Sequence, residues 1–292
     1  MSAKIISGTE IAKQIREELK KEIKELKEKH GVTPGLATVL VGNDPASKVY
    51  VGQKEKSCSN LGIYSERIDL PGDISEQELL SQIEKLNKDP RIHGILIQLP
   101  LPKQINESRV IYAIDPAKDV DGFHPVNVGK MVVGEKCFLP CTPHGILELL
   151  ARSGVQTEGA EVVVIGRSNI VGKPVLNLML QKRPAGNATV TLCHTRTKDL
   201  AFHTKRADIL IVATGYPKTV TGDMVKEGVV VIDVGVNRIG KTPEGKAILV
   251  GDVDFESVKE KAAAITPVPG GVGPMTIVML MKNTVESAKN TI

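Results

Sequence analysis

The stretch that most limits what this chain can become is Val162-Val-Val-Ile-Gly-Arg-Ser-Asn-Ile-Val-Gly-Lys-Pro174. Four apolar residues, all of them β-branched, read as a strand buried on both faces. Gly166 breaks the run, Gly172 follows, and Pro174 sits where the first turn of a helix tolerates a missing N–H. Strand, glycine turn and helix start are the parts of a phosphate site, in which free amides and a helix dipole face an anion. The spacing departs from G-x-G-x-x-G, so a plain strand-to-helix turn fits it as well. Arg167 and Ser168 tilt the balance, placing a cation and a hydroxyl where the anion would lie.

The same grammar recurs along the chain. Apolar runs at 36–41, 63–70, 94–99, 189–193, 209–214 and 229–234 alternate with helical spacing. Such alternation predicts a parallel, doubly wound sheet. Ser7 and Glu10 form a capping-box pattern ahead of Ile11, Ile15, Leu19, Ile23 and Leu26, and Gly31 ends that helix. Ser75 with Glu78 starts another helix. Thr142-Pro143 is expected to cap a helix over 146–151 that leads into the strand at Val162, and the domain boundary is placed there. A chain of 292 residues is long enough for two domains.

Composition removes several classes. A net charge of +4 is too mild for a nucleic-acid binder, and 3% aromatics with no Trp leaves little for base stacking. Without a membrane-length apolar run or signal-peptide pattern, the expectation is a cytoplasmic protein with no membrane partner. Cys137-x-x-x-Cys141-x-x-His144 lacks a fourth ligand, and Asp119 with Asp121 makes an equally thin metal case, so no metal is expected.

Chemistry concentrates in the first half. Asp44-Pro45 opens a helix expected to run to Leu61 and stop at Gly62. Ser47, Tyr50, Val51, Lys54, Cys58 and Leu61 fall at steps of three and four, which makes them one inward stripe. Lys54 then lies among apolar neighbours, either as a stem beside the core or as a desolvated amine fit for proton transfer. Gln98 stands at the carboxyl end of a parallel strand, where α/β proteins bind ligands. After residues 189–193, His194-Thr195-Arg196-Thr197 offers no acid to grip a ribose 2′-hydroxyl, which favours NADP over NAD. Pro267 to Thr276, with three glycines and three prolines, reads as a loop before a last helix from about Met275.

Tyr50-Val-Gly-Gln-Lys54, Gly94-Ile-Leu-Ile-Gln-Leu-Pro-Leu-Pro102, Asp119-Val-Asp-Gly122 and Gly166-Arg-Ser-Asn-Ile-Val-Gly-Lys-Pro174 occur in one order. Asp233-Val-Gly-Val-Asn237 and Pro267-Val-Pro-Gly-Gly-Val-Gly-Pro-Met-Thr276 follow them. Together they resemble the bifunctional methylenetetrahydrofolate dehydrogenase/methenyltetrahydrofolate cyclohydrolases over almost the whole chain. The resemblance implies two α/β domains with a cleft between them, the second a Rossmann-like doubly wound parallel sheet. Residues 1–141 plus 275–292 would bind tetrahydrofolate derivatives, and 142–274 would bind NADP.

It further implies oxidation of the 5,10-methylene form with NADP+ and hydrolysis of the methenyl form to 10-formyltetrahydrofolate. By the same resemblance Lys54 is the general acid/base, Gln98 tunes it, Tyr50 packs on the folate and Asp121 holds the pterin. Leu99, Pro100, Pro269, Gly270 and Gly273 would line the substrate, and Gly166, Arg167, Ser168, Thr195 and Val236 the NADP site. Thr195 stands where many relatives have serine. A homodimer is implied as well.

Overall fold

A computed structural model of the protein describes residues 3–242 and 245–292. The first half runs β1 (Lys4–Ile5), α1 (Gly8–His30), β2 (Gly35–Val41), α2 (Pro45–Leu61), β3 (Tyr64–Leu70), α3 (Glu76–Lys88), β4 (Gly94–Ile97), α4 (Glu107–Ala113) and α5 (Pro125–Val133). Then come α6 (Cys141–Arg152), β5 (Glu161–Ile165), α7 (Gly172–Leu180), β6 (Thr189–Cys193), α8 (Leu200–Thr204), β7 (Ile209–Val212) and β8 (Val230–Asp233). The hairpin β9 (Asn237–Lys241) and β10 (Ala247–Val250), α9 (Phe255–Lys259), β11 (Ala264–Ile265) and α10 (Val272–Lys289) complete the chain. It divides into two compact units, Gln14–Cys141 with Ile277–Ile292, and Met1–Lys13 with Thr142–Thr276.

The first of these, the small-sheet unit, is built on three parallel strands in the order β3-β2-β4. β2 lies between two partners, and all seven of its residues are buried. Ala37, Val39 and Val41 meet Leu79, Ile83 and Leu86 of α3 and Ile95 and Ile97 of β4 in one core. Burying side chains of this size stabilises the unit by about 1.5–3 kcal/mol each. β3, at the edge, has no buried residue and instead alternates between exposed and half-buried positions. The end of α10 is fixed by side chains: Ser287 Oγ donates to the carbonyls of His93 and Ala117, and Asn283 Nδ2 to those of Val120 and Leu139.

The second, large-sheet unit carries parallel strands in the order β1-β11-β8-β7-β5-β6. From β5 the chain pairs β6 on one side and returns to pair β7 on the other. That reversal is the switch point at which doubly wound sheets bind ligands. Val163, Ile165, Leu210, Val212, Val229 and Val231 are among the residues of its core.

Some boundaries differ from the sequence expectation. The strand expected at 94–99 ends at Ile97, leaving Gln98 and Leu99 outside it. Thr142-Pro143 does not cap a helix: α6 already begins at Cys141. α10 begins at Val272, so Gly273 to Thr276 form its first turns and not the end of a loop. The short helices α4, α5, α8 and α9 and the β9–β10 hairpin escaped the pattern reading, being too brief for a period to register.

Candidate active site

Asp44 Oδ2 accepts from the Ser47 N–H and caps α2, while Gly62, at φ 76°, ends it in the left-handed region. Between these caps Ser47, Val51, Cys58 and Leu61 are buried, and Lys54, on the same stripe, is half-buried. Tyr50 departs from the expected inward stripe: it is 45% exposed, one helical turn before Lys54. Its ring is therefore a surface a ligand can pack on, not part of the core.

Gln98 follows β4, and its N–H donates to the Val39 carbonyl 2.9 Å away, which extends the sheet pairing by one residue. Its Nε2 donates to the Leu99 carbonyl at 2.8 Å, leaving Oε1 as the acceptor aimed at α2. Lys54 Nζ donates to that Oε1 at 2.9 Å. Leu99 is half-buried and Pro100 exposed, joined by a cis peptide bond.

The third component is the turn over 119–123. Asp119, buried, accepts from the Phe123 and His124 N–H groups and from Asn127 Nδ2. Its three bonds close the turn around Asp121. Asn283 Nδ2 and the Cys141 thiol both donate to the Val120 carbonyl, holding the turn from the other side. Asp119 and Cys141 thus have places that no reading of the sequence assigned. A short acid two residues before Asp121, in a run of turn formers, is the signal that marks the first.

These groups shape each other electrostatically. Burial pushes the Lys54 amine below the ordinary lysine range, and the nearby Asp121 carboxylate pulls partly the other way. Burial raises the Asp121 carboxyl, and Lys54 opposes that rise. Cys141, fully buried and near Asp121, is held well above the usual thiol range and stays protonated. An amine moved toward neutrality beside a hydrogen-bond acceptor is a group that can take up and return a proton.

The large-sheet unit carries the remaining predicted residues. Gly166, at φ 119°, packs so closely that a Cβ would overlap the Ala213 carbonyl oxygen, and one on Gly172 would overlap that of Gly166. The turn is thereby drawn tight across the switch point. Sequence reasoning expected free amides at the start of α7, and the structure corrects this. Ser168 Oγ accepts from the Val171 and Gly172 N–H groups, the Ser168 carbonyl accepts from Lys173, and Pro174 has no N–H. What faces outward is side chain: Arg167, Ser168, Thr195, Arg196 and Val236 are all exposed. Residues 194–198 contain no carboxylate. Cations and hydroxyls flanking a tight turn at a switch point suit an anionic dinucleotide. Pro269, Gly270 and Gly273 belong to this same unit, with the Gly270 carbonyl accepting from the Thr9 N–H at 3.0 Å.

Comparison with known proteins agrees with this chemistry. Residues 6–121 match the catalytic domain of the tetrahydrofolate dehydrogenase/cyclohydrolase family, and residues 140–292 match its NAD(P)-binding domain. The chain belongs to that family. It is similar to the bifunctional protein FolD of Syntrophus aciditrophicus, 65% identical over 289 residues, covering 99% of this chain and 98% of the relative. The FolD protein of Dehalococcoides mccartyi strain CBDB1 is 64% identical over 292 residues, covering 100% and 99%. The FolD crystal structure from Campylobacter jejuni superposes with a TM-score of 0.94 at 49% identity, covering 100% of each chain. That of Trypanosoma brucei FolD, complexed with NADP cofactor and inhibitor, gives 0.94 at 38% identity, covering 100% of this chain and 99% of its own. This family member is therefore a methylenetetrahydrofolate dehydrogenase using NAD(P) and a methenyltetrahydrofolate cyclohydrolase. Among the described residues no helix is long and apolar enough to cross a membrane.

Proposed function

We propose that Lys54 is the general acid/base of the hydrolytic step, that Gln98 sets its protonation, and that NADP is the preferred dinucleotide. The observation that carries the first assignment is the Lys54 amine held on Gln98 Oε1 in a buried setting near Asp121. In hydrolysis the neutral amine takes a proton from water as its oxygen bonds to the methenyl carbon. The ammonium so formed returns a proton to N5 as the C–N5 bond breaks. The hydroxyl proton is lost to solvent as the formyl C=O forms on N10, so methenyl cation and water give 10-formyltetrahydrofolate and one proton. Gln98 Oε1, an acceptor, keeps the amine pointed along this path in both protonation states.

Oxidation of the methylene carbon asks less of the protein. Bound NADP+ supplies the hydride acceptor. The C–H bond leaves with its electron pair, so no side chain has to move a proton. The chain's part is positioning, and we assign it to Tyr50, through its exposed ring, and to Gln98, Leu99, Pro100 and Asp121. Arg167, Ser168 and Thr195 would meet the dinucleotide phosphates, and the missing acid after β6 removes the group that would repel a 2′-phosphate. The sequence resemblance supports a homodimer.

Lys54→Met tests the central role. Methenyl hydrolysis should fall by about 10²–10⁴-fold while the folded state persists. Hydrolysis at the wild-type rate would remove Lys54 from the mechanism.

A further inference from the structure

In the large-sheet unit Asp233 and Asp252 are both buried, 3% and 0% exposed. Asp233 ends β8, and Asp252 follows β10. Asp233 Oδ1 accepts from the Gly235 and Asp252 N–H groups, and its Oδ2 from that of Val253. Asp252 reaches further: Oδ2 accepts from the Thr214 and Gly215 N–H groups at 2.6 and 2.8 Å, and Oδ1 from Asn237 Nδ2 at 2.7 Å. The two acids are seated by reciprocal glycines. A Cβ on Gly235 would overlap the Asp252 carboxylate, and one on Gly251 would overlap that of Asp233. No side chain larger than hydrogen leaves room for this arrangement.

The places that Asp252 ties together matter. Thr214 and Gly215 follow β7, whose end lies across the switch point from the Gly166 turn, with Gly166 against Ala213. Val236, 46% exposed, lies in the turn after β8, and Asn237 opens β9 directly behind it. One carboxylate therefore ties the segment that follows β7 to the one that follows β8.

We infer that Asp252 is a positioning residue of the nucleotide site, acting through the Thr214-Gly215 turn and, by way of Asn237, the turn that carries Val236, without touching the dinucleotide itself. This rests on the assignment of that site to the switch point. A buried charge is a suitable device because three donors on two separate loops converge on it, and charge-assisted hydrogen bonds are shorter and stronger than neutral ones. Both loops then reach the ligand already in place, so less order has to be gained on binding.

The test compares wild type, Asp252→Ala, Asp252→Asn and Asn237→Ala. NADP+ affinity is read by calorimetry without folate, and cyclohydrolase activity on preformed methenyltetrahydrofolate without dinucleotide. Asp252→Ala should weaken NADP+ by roughly tenfold to a hundredfold, as displaced positioning groups do, with hydrolysis little changed. Asp252→Asn should restore most of the affinity, because its Oδ1 still accepts from Thr214 and Gly215 and a turned Asn237 amide can accept from the new NH₂. If the alanine variant does not fold, Asn237→Ala carries the test, with NADP+ binding weakened and hydrolysis intact. Unchanged NADP+ affinity in Asp252→Ala, or hydrolysis lost in step with affinity in every variant, overturns the inference. Failure of the wild type itself to bind NADP+ would overturn the nucleotide site on which it rests.

Discussion

Lys54 Nζ lies 2.9 Å from Gln98 Oε1, one residue on a helix and the other just past a strand of the same three-stranded sheet. The contact gives the amine a partner that accepts in either protonation state and adds no charge. Replacing it with a charge changes the chemistry in a definite direction. In Gln98→Glu a carboxylate would stabilise the ammonium and raise the amine's pKa. The alkaline-rising limb of methenyl hydrolysis should move upward and the rate at pH 7 should fall. A pH–rate profile measures this, and an unmoved limb would separate Gln98 from Lys54.

Arg167 is exposed beside the Gly166 turn, and the proposed NADP site uses it to hold the 2′-phosphate. Losing a charge-assisted hydrogen bond of about 1.5–3 kcal/mol should raise the NADP+ KM of Arg167→Ala by roughly tenfold or more. The NAD+ KM should change little. Steady-state kinetics with both dinucleotides decide it, and an equal loss for the two would refute the role.

Gly166→Ala should destabilise the protein by more than about 2 kcal/mol, because strain at positive φ adds to overlap with a neighbouring carbonyl. Gly31→Ala is the matched control: its φ is also positive, at 70°, yet nothing lies within 4 Å of the new methyl. Urea unfolding of the two variants should give the larger loss at Gly166. Equal losses would mean that conformation alone, and not close packing, selects glycine in that turn.

Asp119 and Asp233 are each raised to about 6 by burial. Both bind a proton more tightly folded than unfolded, so the folded state gains from them as pH falls from above 6 toward 4. The sign is opposite to that of a salt-bridged acid. Urea midpoints at pH 7.5 and pH 5 should show that Asp119→Asn gains less, or loses more, than wild type on acidification. A larger gain in the variant would contradict the assignment.

Much of this was legible in the residues. The buried runs announced the parallel sheets because β-branched residues closed by glycine leave few other folds. The caps at Asp44 and Ser75 are in place because each is a local hydrogen bond that needs no tertiary partner. Lys54 stood out because a cation on an apolar stripe is anomalous. The exposure of Tyr50 was not legible, since a stripe marks one face of a helix and not how far its neighbours extend. Nor were the ties of Asp119, Cys141 and Asp252, whose partners are mostly backbone groups. Backbone N–H and C=O groups are present at nearly every position, so sequence does not reveal which one a side chain will reach. Ser168 misled for the same reason: its hydroxyl and carbonyl take up the amides expected to face a phosphate.

The most direct measurement is the titration of Lys54 by ¹³C NMR of its Cε, assigned against Lys54→Met, beside the pH–rate profile of methenyl hydrolysis. The amine should titrate below the 10.5 of an ordinary lysine, at the same pH as the rising limb of the rate. An amine that titrates at the ordinary value, with a rate limb elsewhere, would contradict a desolvated Lys54 as the proton carrier.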